Sequence, residues 1–429
     1  MSQTTTPGLD EIDVTSPDFW AAPMEWRDNA FRVLREQEPF AFFEEPQIPD
    51  FPQGPGYHAV TRYADIEHIS KNPQDFCSGR GSTSVADIPA EFMDFFGSMI
   101  VMDDPRHARL RGIVARRFTP KALQQLLDSV DETANEIIDD VIDQGEIDFV
   151  EGIAARLPLL IICDMMGIPR SREREILHHT NVILSAGDPE LIGEEDERRD
   201  NLIGSALALT QIVNELAEHR RDHPTDDLTS QLIHAGEEGE DDRLTPQEIA
   251  SFFILLVVAG NETTRTALTH GMYQLTRNPD QRDLLLADLE HVVPTATEEI
   301  VRYASPVTYM RRTATRDLEY AGRQFEEGDK FVLFYGSGNR DASVFENPDR
   351  FDVRRNPNPH IGFGAPGPHY CLGAHLARRE MNVMLTRLFQ RIPDIEVSGP
   401  PEPLQGVLPL VCGIKRMPVR FTPGGAGGR

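Results

Sequence analysis

The stretch Phe363–Gly373, FGAPGPHYCLG, sets a single cysteine in a loop dense in Gly and Pro, with His369 two residues before Cys371. A thiolate serves as nucleophile or metal ligand, and either use needs a deprotonated sulfur. Backbone amides and the positive end of a following helix favour that charge. Gly364, Gly367 and Gly373 would let the backbone pass close to a flat ligand. Taken alone, the loop leaves three readings open. Cys371 is a ligand with His369 as a second polar contact, a nucleophile with His369 as its base, or a buried structural cysteine in a turn. The nucleophile reading requires a colourless protein inactivated by alkylation.

Three further stretches carry groups able to do chemistry. AGNETT, Ala259–Thr264, lies inside a long apolar segment. Glu262 and Thr263 make an acid–alcohol pair suited to relaying protons, which must be positioned like any general acid. Ala259 and Gly260 leave space beside them and permit a local π-type widening of the helix. A glycine-containing core helix with incidental threonines is the plainer reading. EEIVR, Glu298–Arg302, puts Glu299 and Arg302 one helical turn apart, within pairing distance. The same spacing at Glu195/Arg198 and Glu218/Arg221 reads as solvated surface charge. PDRF, Pro348–Phe351, offers Arg350 as a third member of a Glu299 network. In DDPRHARLR, Asp103–Arg111, His107 and Arg111 share one helix face, while Arg106 and Arg109 are expected to face solvent. Arg312 lies in SPVTYMRRTA.

The elements that must hold these residues can be read in outline. Thr245 is an N-cap, Pro246 suits the first helical position and Glu248 closes a capping box. The helix that starts there has no breaker until about Pro279 and so spans roughly 30 residues and about 45 Å. It is apolar on nearly all sides around Phe252–Ala259 and should cross the middle of the molecule. Tyr57–Tyr63 alternates as a strand. From Pro105 to about residue 230 the pattern is mostly helical, for example over 121–142. Strands follow residue 305, around the turn FEEGD. A last helix begins beside Cys371, buries Ala377, Met381, Met384, Leu385 and Leu388, and ends before Pro393. Gly236–Asp242 is an acidic surface loop. The expected fold is mainly α with a smaller β-rich region. Residues 1–20 form a polar segment, 21–422 one domain with β-rich portions near 40–75 and 305–340, and 423–429 a disordered tail.

The bulk properties exclude several functions. A net charge of −28 over 429 residues opposes unassisted binding to phosphate backbones. Four cysteines without a CxxC pair make no disulfide framework and point to a reducing compartment. No clustered zinc ligands are visible. The longest apolar run, Phe252–Ala259, is far short of the roughly 20 residues that span a bilayer. The N-terminal stretch has neither the basic nor the apolar region of a signal peptide. The expectation is a soluble cytoplasmic protein with no nucleic-acid partner and no membrane span.

Together these motifs resemble those of cytochrome P-450 monooxygenases, over roughly residues 20–422. The family's loop F-x-x-G-x-[HR]-x-C-x-G matches at Gly367, His369, Cys371 and Gly373, with Phe363 one residue further upstream. AGNETT resembles the family's oxygen-binding A-G-x-[DE]-T-[TS], and PDRF its P-E-R-F element with Asp349 in place of Glu. The resemblance implies the cytochrome P-450 fold and heme b bound through the Cys371 thiolate, whose push of electron density favours O–O cleavage. It puts Phe363, Gly364, Gly373, Ala259 and Gly260 beside the cofactor. It assigns His107, Arg111, Arg312 and His369 to the propionates, Glu262 and Thr263 to proton delivery toward O2, and Glu299, Arg302 and Arg350 to a structural charge network.

By the same matching, Met99, Ile100, Leu255, Val258, Ala259, Val307 and Leu410 form the substrate pocket. None is charged, so a lipid-like substrate is implied. FFGSMIVMDDPRHARLR, LPLLIICDMMGIP, HTNVIL and SFFILLVVAGNETTR resemble the mycobacterial branch that ω-hydroxylates methyl-branched lipids, and a related branch acting on the cholesterol side chain. The implied reaction is terminal hydroxylation of methyl-branched fatty acids, isoprenoids or sterol side chains. Hydroxylation of a secondary metabolite (terpenoid, polyketide or macrolide), a non-catalytic heme sensor and a peroxygenase are the alternatives. Electrons are implied to come from a ferredoxin and ferredoxin reductase. Arg109, Arg116, Arg117, Arg378 and Arg379 are either a basic docking patch or solvated helix faces.

Overall fold

The capping box at Thr245 forms. Thr245 Oγ1 accepts from the Glu248 amide at 3.1 Å, and Glu248 Oε2 accepts from the Thr245 amide at 2.9 Å. In this computed structural model, which describes residues 6–47, 53–87, 97–116, 118, 124–184, 188–193, 197–234, 244–404 and 408–425, the helix so started runs Pro246–Arg277. It is labelled α2, after α1 (Arg106–Ala115) and before α3 (Leu289–Ala304) and α4 (Ala374–Arg391). Its length lets it serve two cores. Phe252, Phe253, Ile254 and Val257 pack with Leu159, Ile162 and Leu209. Ala267, Leu268, Met272 and Leu275 pack with α3 and with Met381, Met384, Leu385 and Leu388 of α4. Ala377, placed by its spacing on the same stripe of α4, instead lines the cavity described below. Among the described residues no helix is long and apolar enough to cross a membrane.

Five strands make the main sheet: β1 (Phe40–Phe43), β2 (Tyr57–Val60), β3 (Phe76–Cys77), β4 (Tyr309–Ala314) and β5 (Lys330–Phe334). Their order is β1-β2-β5-β4-β3. β2 and β5 run parallel, and the other pairs are antiparallel. The strand expected over Tyr57–Tyr63 stops at Val60, and a helix starts at Tyr63. The cause is remote in sequence: the Tyr63 amide donates to Asp341 Oδ2 at 3.0 Å, a cap that no local pattern announces. The helix expected over 121–142 is described over Gln124–Val141. The acidic stretch Gly236–Asp242, Arg117 and residues 426–429 lie outside the described residues.

Candidate active site

A cavity of about 240 Å³ opens between α1, α2, β4, the cysteine loop and α4, and Cys371 lies on its wall. The loop is shaped by its own backbone. Gly364 has φ +86° and its amide reaches Ile361 O at 3.0 Å, while the Cys371 amide donates to Phe363 O at 2.9 Å. A left-handed φ of that size favours glycine. Gly367 serves a different purpose from the one expected. A Cβ there would run into the carbonyl of Ser70, so its bareness lets the loop pack on the helix Tyr63–Lys71 and not on a ligand. Gly373 does line the cavity, with no atom within 4 Å of where a Cβ would stand. Phe363 lines it too, with the Arg378 guanidinium 4.2 Å from its ring centre. Cys371 is exposed to the cavity, yet its depth within the protein pushes the thiol pKa up, and the Gly373 amide, Arg111 and Arg378 oppose that shift.

His107, Arg111, Arg312 and His369 all border this cavity. The two imidazoles stand 4.2 Å apart. Arg111 Nη2 donates to Tyr370 O at 2.5 Å, and Arg312 Nη1 donates to Arg311 O at 2.8 Å. His107 Nε2 is buried with no hydrogen-bond partner. Burial, with Arg312, His107 and Arg111 nearby, drives the His369 pKa down to about 3. Converging donors, one of them orphaned, beside a thiol and a bare glycine form a chemical fit for heme: a sulfur for the iron, and two arginine cations with two imidazoles for the propionates.

The acid and the alcohol of the expected pair are not presented together at the cavity. Thr263 lines the cavity, and its Oγ1 donates to Ala259 O at 2.7 Å. Glu262 does not line it. Its carboxylate is buried in an ion pair with Arg265, and burial raises its pKa against that pairing. Successive helix positions diverge by about 100°, which turns Glu262 away toward Arg265 while Thr263 and Thr264 stay on the cavity side. α2 stays α-helical through 259–264, so the expected π widening is not formed.

The buried acid on the cavity wall is Glu380 of α4, hydrogen-bonded to Thr264. Burial lifts its pKa to about 8. A signal for it existed: Glu380 stands four residues from both Leu376 and Met384, a carboxyl on an apolar stripe. A raised carboxyl pKa means that the folded state holds the proton more tightly. Its stabilising contribution is therefore full below pH 4.5 and is lost as pH rises from 4.5 to about 8. Denaturant titrations should show stability falling across that window by an amount on the order of 3–5 kcal/mol in the wild type, and much less in Glu380→Gln.

Of the expected substrate contacts, Met99, Ile100, Leu255, Ala259 and Val307 border the cavity, as does Gly260. Val258 of α2 packs against the core that includes Leu159 and Leu209, and Leu410 packs against the core that includes Tyr309 and Phe334, while its carbonyl accepts from the Thr308 amide at 2.9 Å. Neither borders the cavity. Phe118, Ile162, Met165, Phe252, Leu256 and Met310 do, and they add apolar wall.

The Glu299 network also differs from expectation. Arg302 is a fork on Glu299, Nε at 2.7 Å and Nη2 at 2.8 Å, with both side chains fully buried. The third cation is Arg355, with Nε 3.1 Å from Glu299 Oε2. Arg350 contributes only its carbonyl, to Arg302 Nη2 at 3.1 Å, and the residue is exposed. Among the arginines of the expected docking patch, Arg109 pairs with Glu248 at 3.0 Å and Arg378 with Glu298 at 2.6 Å. Arg116 Nε donates to Gly112 O at 3.1 Å, and Arg379 is exposed. Internal pairing of Arg109 and Arg378 reduces the free charge such a patch could offer. Arg106 is exposed, as its place on α1 implies.

A helical body crossed by one long helix, with a cysteine loop facing it across a donor-rimmed cavity, defines a heme-thiolate oxygenase, and the chain belongs to the cytochrome P450 family. The family's sequence profile matches residues 199–393. The methyl-branched lipid omega-hydroxylase of Mycobacterium tuberculosis is 46% identical over 415 residues, 96% of this chain and 95% of the relative. The steroid C26-monooxygenase of Rhodococcus jostii is 35% identical over 427 residues, covering 98% and 87%. Among solved structures, a Mycobacterium marinum cytochrome P450 in complex with pseudoionone is similar with TM-score 0.89 and 40% identity, covering 97% of this chain and 99% of that one. The protein is thus a cytochrome P450 monooxygenase.

Proposed function

We propose that the protein hydroxylates the terminal carbon of a methyl-branched or isoprenoid lipid, with sterol side chains as a related substrate class. The observation that carries this reading is the apolar part of the cavity wall, Met99, Ile100, Leu255, Leu256, Val307 and Met310 among others, in a chain so similar to a methyl-branched lipid omega-hydroxylase. An apolar wall of this kind binds by surface removed from water and specifies shape more than charge.

Cys371 would hold heme b, with Phe363, Gly364 and Gly373 along the cofactor's edge. His107, Arg111, Arg312 and His369 would hold its propionates. Heme, when bound, supplies the redox chemistry that puts one atom of O2 into a C–H bond and releases the other as water. The chain's own part is to orient the lipid, exclude water and meter protons. Thr263 Oγ1 is the hydroxyl placed to pass a proton into the cavity. Glu380 holds a proton at neutral pH and can restore one through the hydroxyl of Thr264. Glu262, tied to Arg265, acts at most indirectly. Electrons would come from a ferredoxin and its reductase, and the compartment would be the cytoplasm.

Thr263→Ala should uncouple the enzyme: product formed per electron pair should fall roughly tenfold while electron consumption continues. Parallel assays of reductant use and product check this, and unchanged coupling would remove Thr263 from the relay. The substrate reading is tested by titrating the ferric protein with phytanic acid, other branched fatty acids, farnesol derivatives and sterols, following the iron's spin state. Branched lipids should shift the spectrum. Silence across all of them would reject the substrate class and leave the family intact.

A further inference from the structure

We infer that Arg311 is a positioning residue for the substrate cavity, clamping Arg80–Asp87, the far part of a segment whose other end is tied to the turn bearing Met99 and Ile100. The inference rests on the monooxygenase reading. Along a strand, successive side chains face opposite ways. Met310 and Arg312 of β4 line the cavity, whereas Arg311 between them is fully buried and does not. Its Nη1 donates to Val85 O at 2.9 Å and to Asp87 Oδ1 at 2.7 Å, its Nη2 donates to Arg80 O, and its amide donates to Thr83 O at 2.8 Å.

Lys330 on the neighbouring strand β5 reinforces the grip. Its Nζ lies 2.6 Å from Glu45 Oε1, 3.2 Å from Val85 O and 3.3 Å from Asp87 Oδ2. Two buried cations thus face two carboxylates, a balanced quartet. Arg311, Lys330 and Glu45 are buried while Asp87 is half exposed, and a buried charge left without its partner is costly, so the three buried groups hold one arrangement. Gly81 has φ +79°, and a Cβ there would strike Asp87 and Arg311, so the backbone is moulded closely around the guanidinium.

The segment is held at its other end as well. Asp103 accepts from the Ser78 and Gly79 amides, both at 2.8 Å. Asp103 directly follows Met102, after the turn Met99–Val101 whose Met99 and Ile100 border the cavity. Residues 78–87 therefore form a brace from the cavity-lining turn to the strand that carries Arg312. Loosening the Arg311 side chain releases the turn; that side chain meets Arg80, Val85 and Asp87, and Arg312 donates only to the Arg311 carbonyl, which the substitution keeps.

The test uses the full-length, heme-loaded protein with Asp87→Asn, and Arg311→Lys as a second variant in case either folds poorly. Hydrogen–deuterium exchange is followed over residues 97–103, and phytanic acid and imidazole are titrated spectrally. Exchange over 97–103 should accelerate at least about tenfold in either variant, as expected for a locally released segment. Phytanic acid should bind at least about fivefold more weakly, while imidazole, which needs only access to the iron, stays within about twofold. Wild-type exchange over 97–103 in a folded variant would overturn the inference, and so would parallel loss of both ligands in step with melting temperature. A wild-type protein that takes up no heme and binds no imidazole would instead overturn the monooxygenase reading itself.

Discussion

Arg302→Ala should leave little protein able to retain heme, with a melting temperature far below that of the wild type. Glu299 is fully buried and is met by Arg302, by Arg355 Nε at 3.1 Å, by Asn358 Nδ2 at 3.2 Å and by the Asp352 amide at 2.8 Å. Arg302 in turn donates Nη1 to Asn339 O and Pro348 O, each at 2.8 Å. These contacts bring α3 together with the meander between residues 339 and 358 that precedes the cysteine loop. Removing one partner of a buried pair costs about 3–5 kcal/mol, and Arg355 alone would be left to face the Glu299 charge. A typical domain has only about 5–15 kcal/mol in total. Arg302→Lys should recover part of the loss but lacks the planar fork that Glu299 engages. Arg350→Ala should be nearly silent, within about 0.5 kcal/mol, because its side chain is exposed. Soluble yield, melting temperature and heme-to-protein ratio across the three variants check the assignment. A severe Arg350→Ala with a mild Arg302→Ala would reverse it.

Cys371→Ser should abolish turnover, lowering it by more than about 100-fold, while the polypeptide keeps its fold. A metal ligand is at least as sensitive as the groups that orient it, whose loss typically costs 10–100-fold. A serine hydroxyl is not ionised near neutrality and does not supply a thiolate. The fold should survive because the loop is held by backbone bonds, the Cys371 amide to Phe363 O at 2.9 Å and the Gly364 amide to Ile361 O at 3.0 Å. Far-ultraviolet circular dichroism and a product assay on the same preparation separate the two effects. Turnover near the wild-type level would remove Cys371 from the chemistry.

Features set by neighbouring residues were legible in the sequence. The Thr245/Glu248 box and the apolar run behind it define α2, and the turn-rich loop ahead of α4 marks Cys371. Features set by contacts across the chain were not. Asp341 turns Tyr63 from strand to helix, and Arg355 takes the place expected for Arg350 because pairing with Glu299 depends on how the meander folds back. Glu262 followed from motif order, but its direction depends on helical phase and on Arg265 one turn away. Leu410 and Val258 illustrate the same limit: apolar character identifies a core residue and does not say which core. Glu380 was open to discovery from spacing alone, as a carboxyl four residues from apolar neighbours on both sides.

The most direct test of the central claim is the absorbance spectrum of the purified, reduced wild-type protein under carbon monoxide. A Soret band strongly displaced to the red, and missing from Cys371→Ser, is the result expected for thiolate-bound heme iron. A Soret band at the unshifted position of histidine-bound heme, or no heme absorbance at all in folded protein, would contradict it.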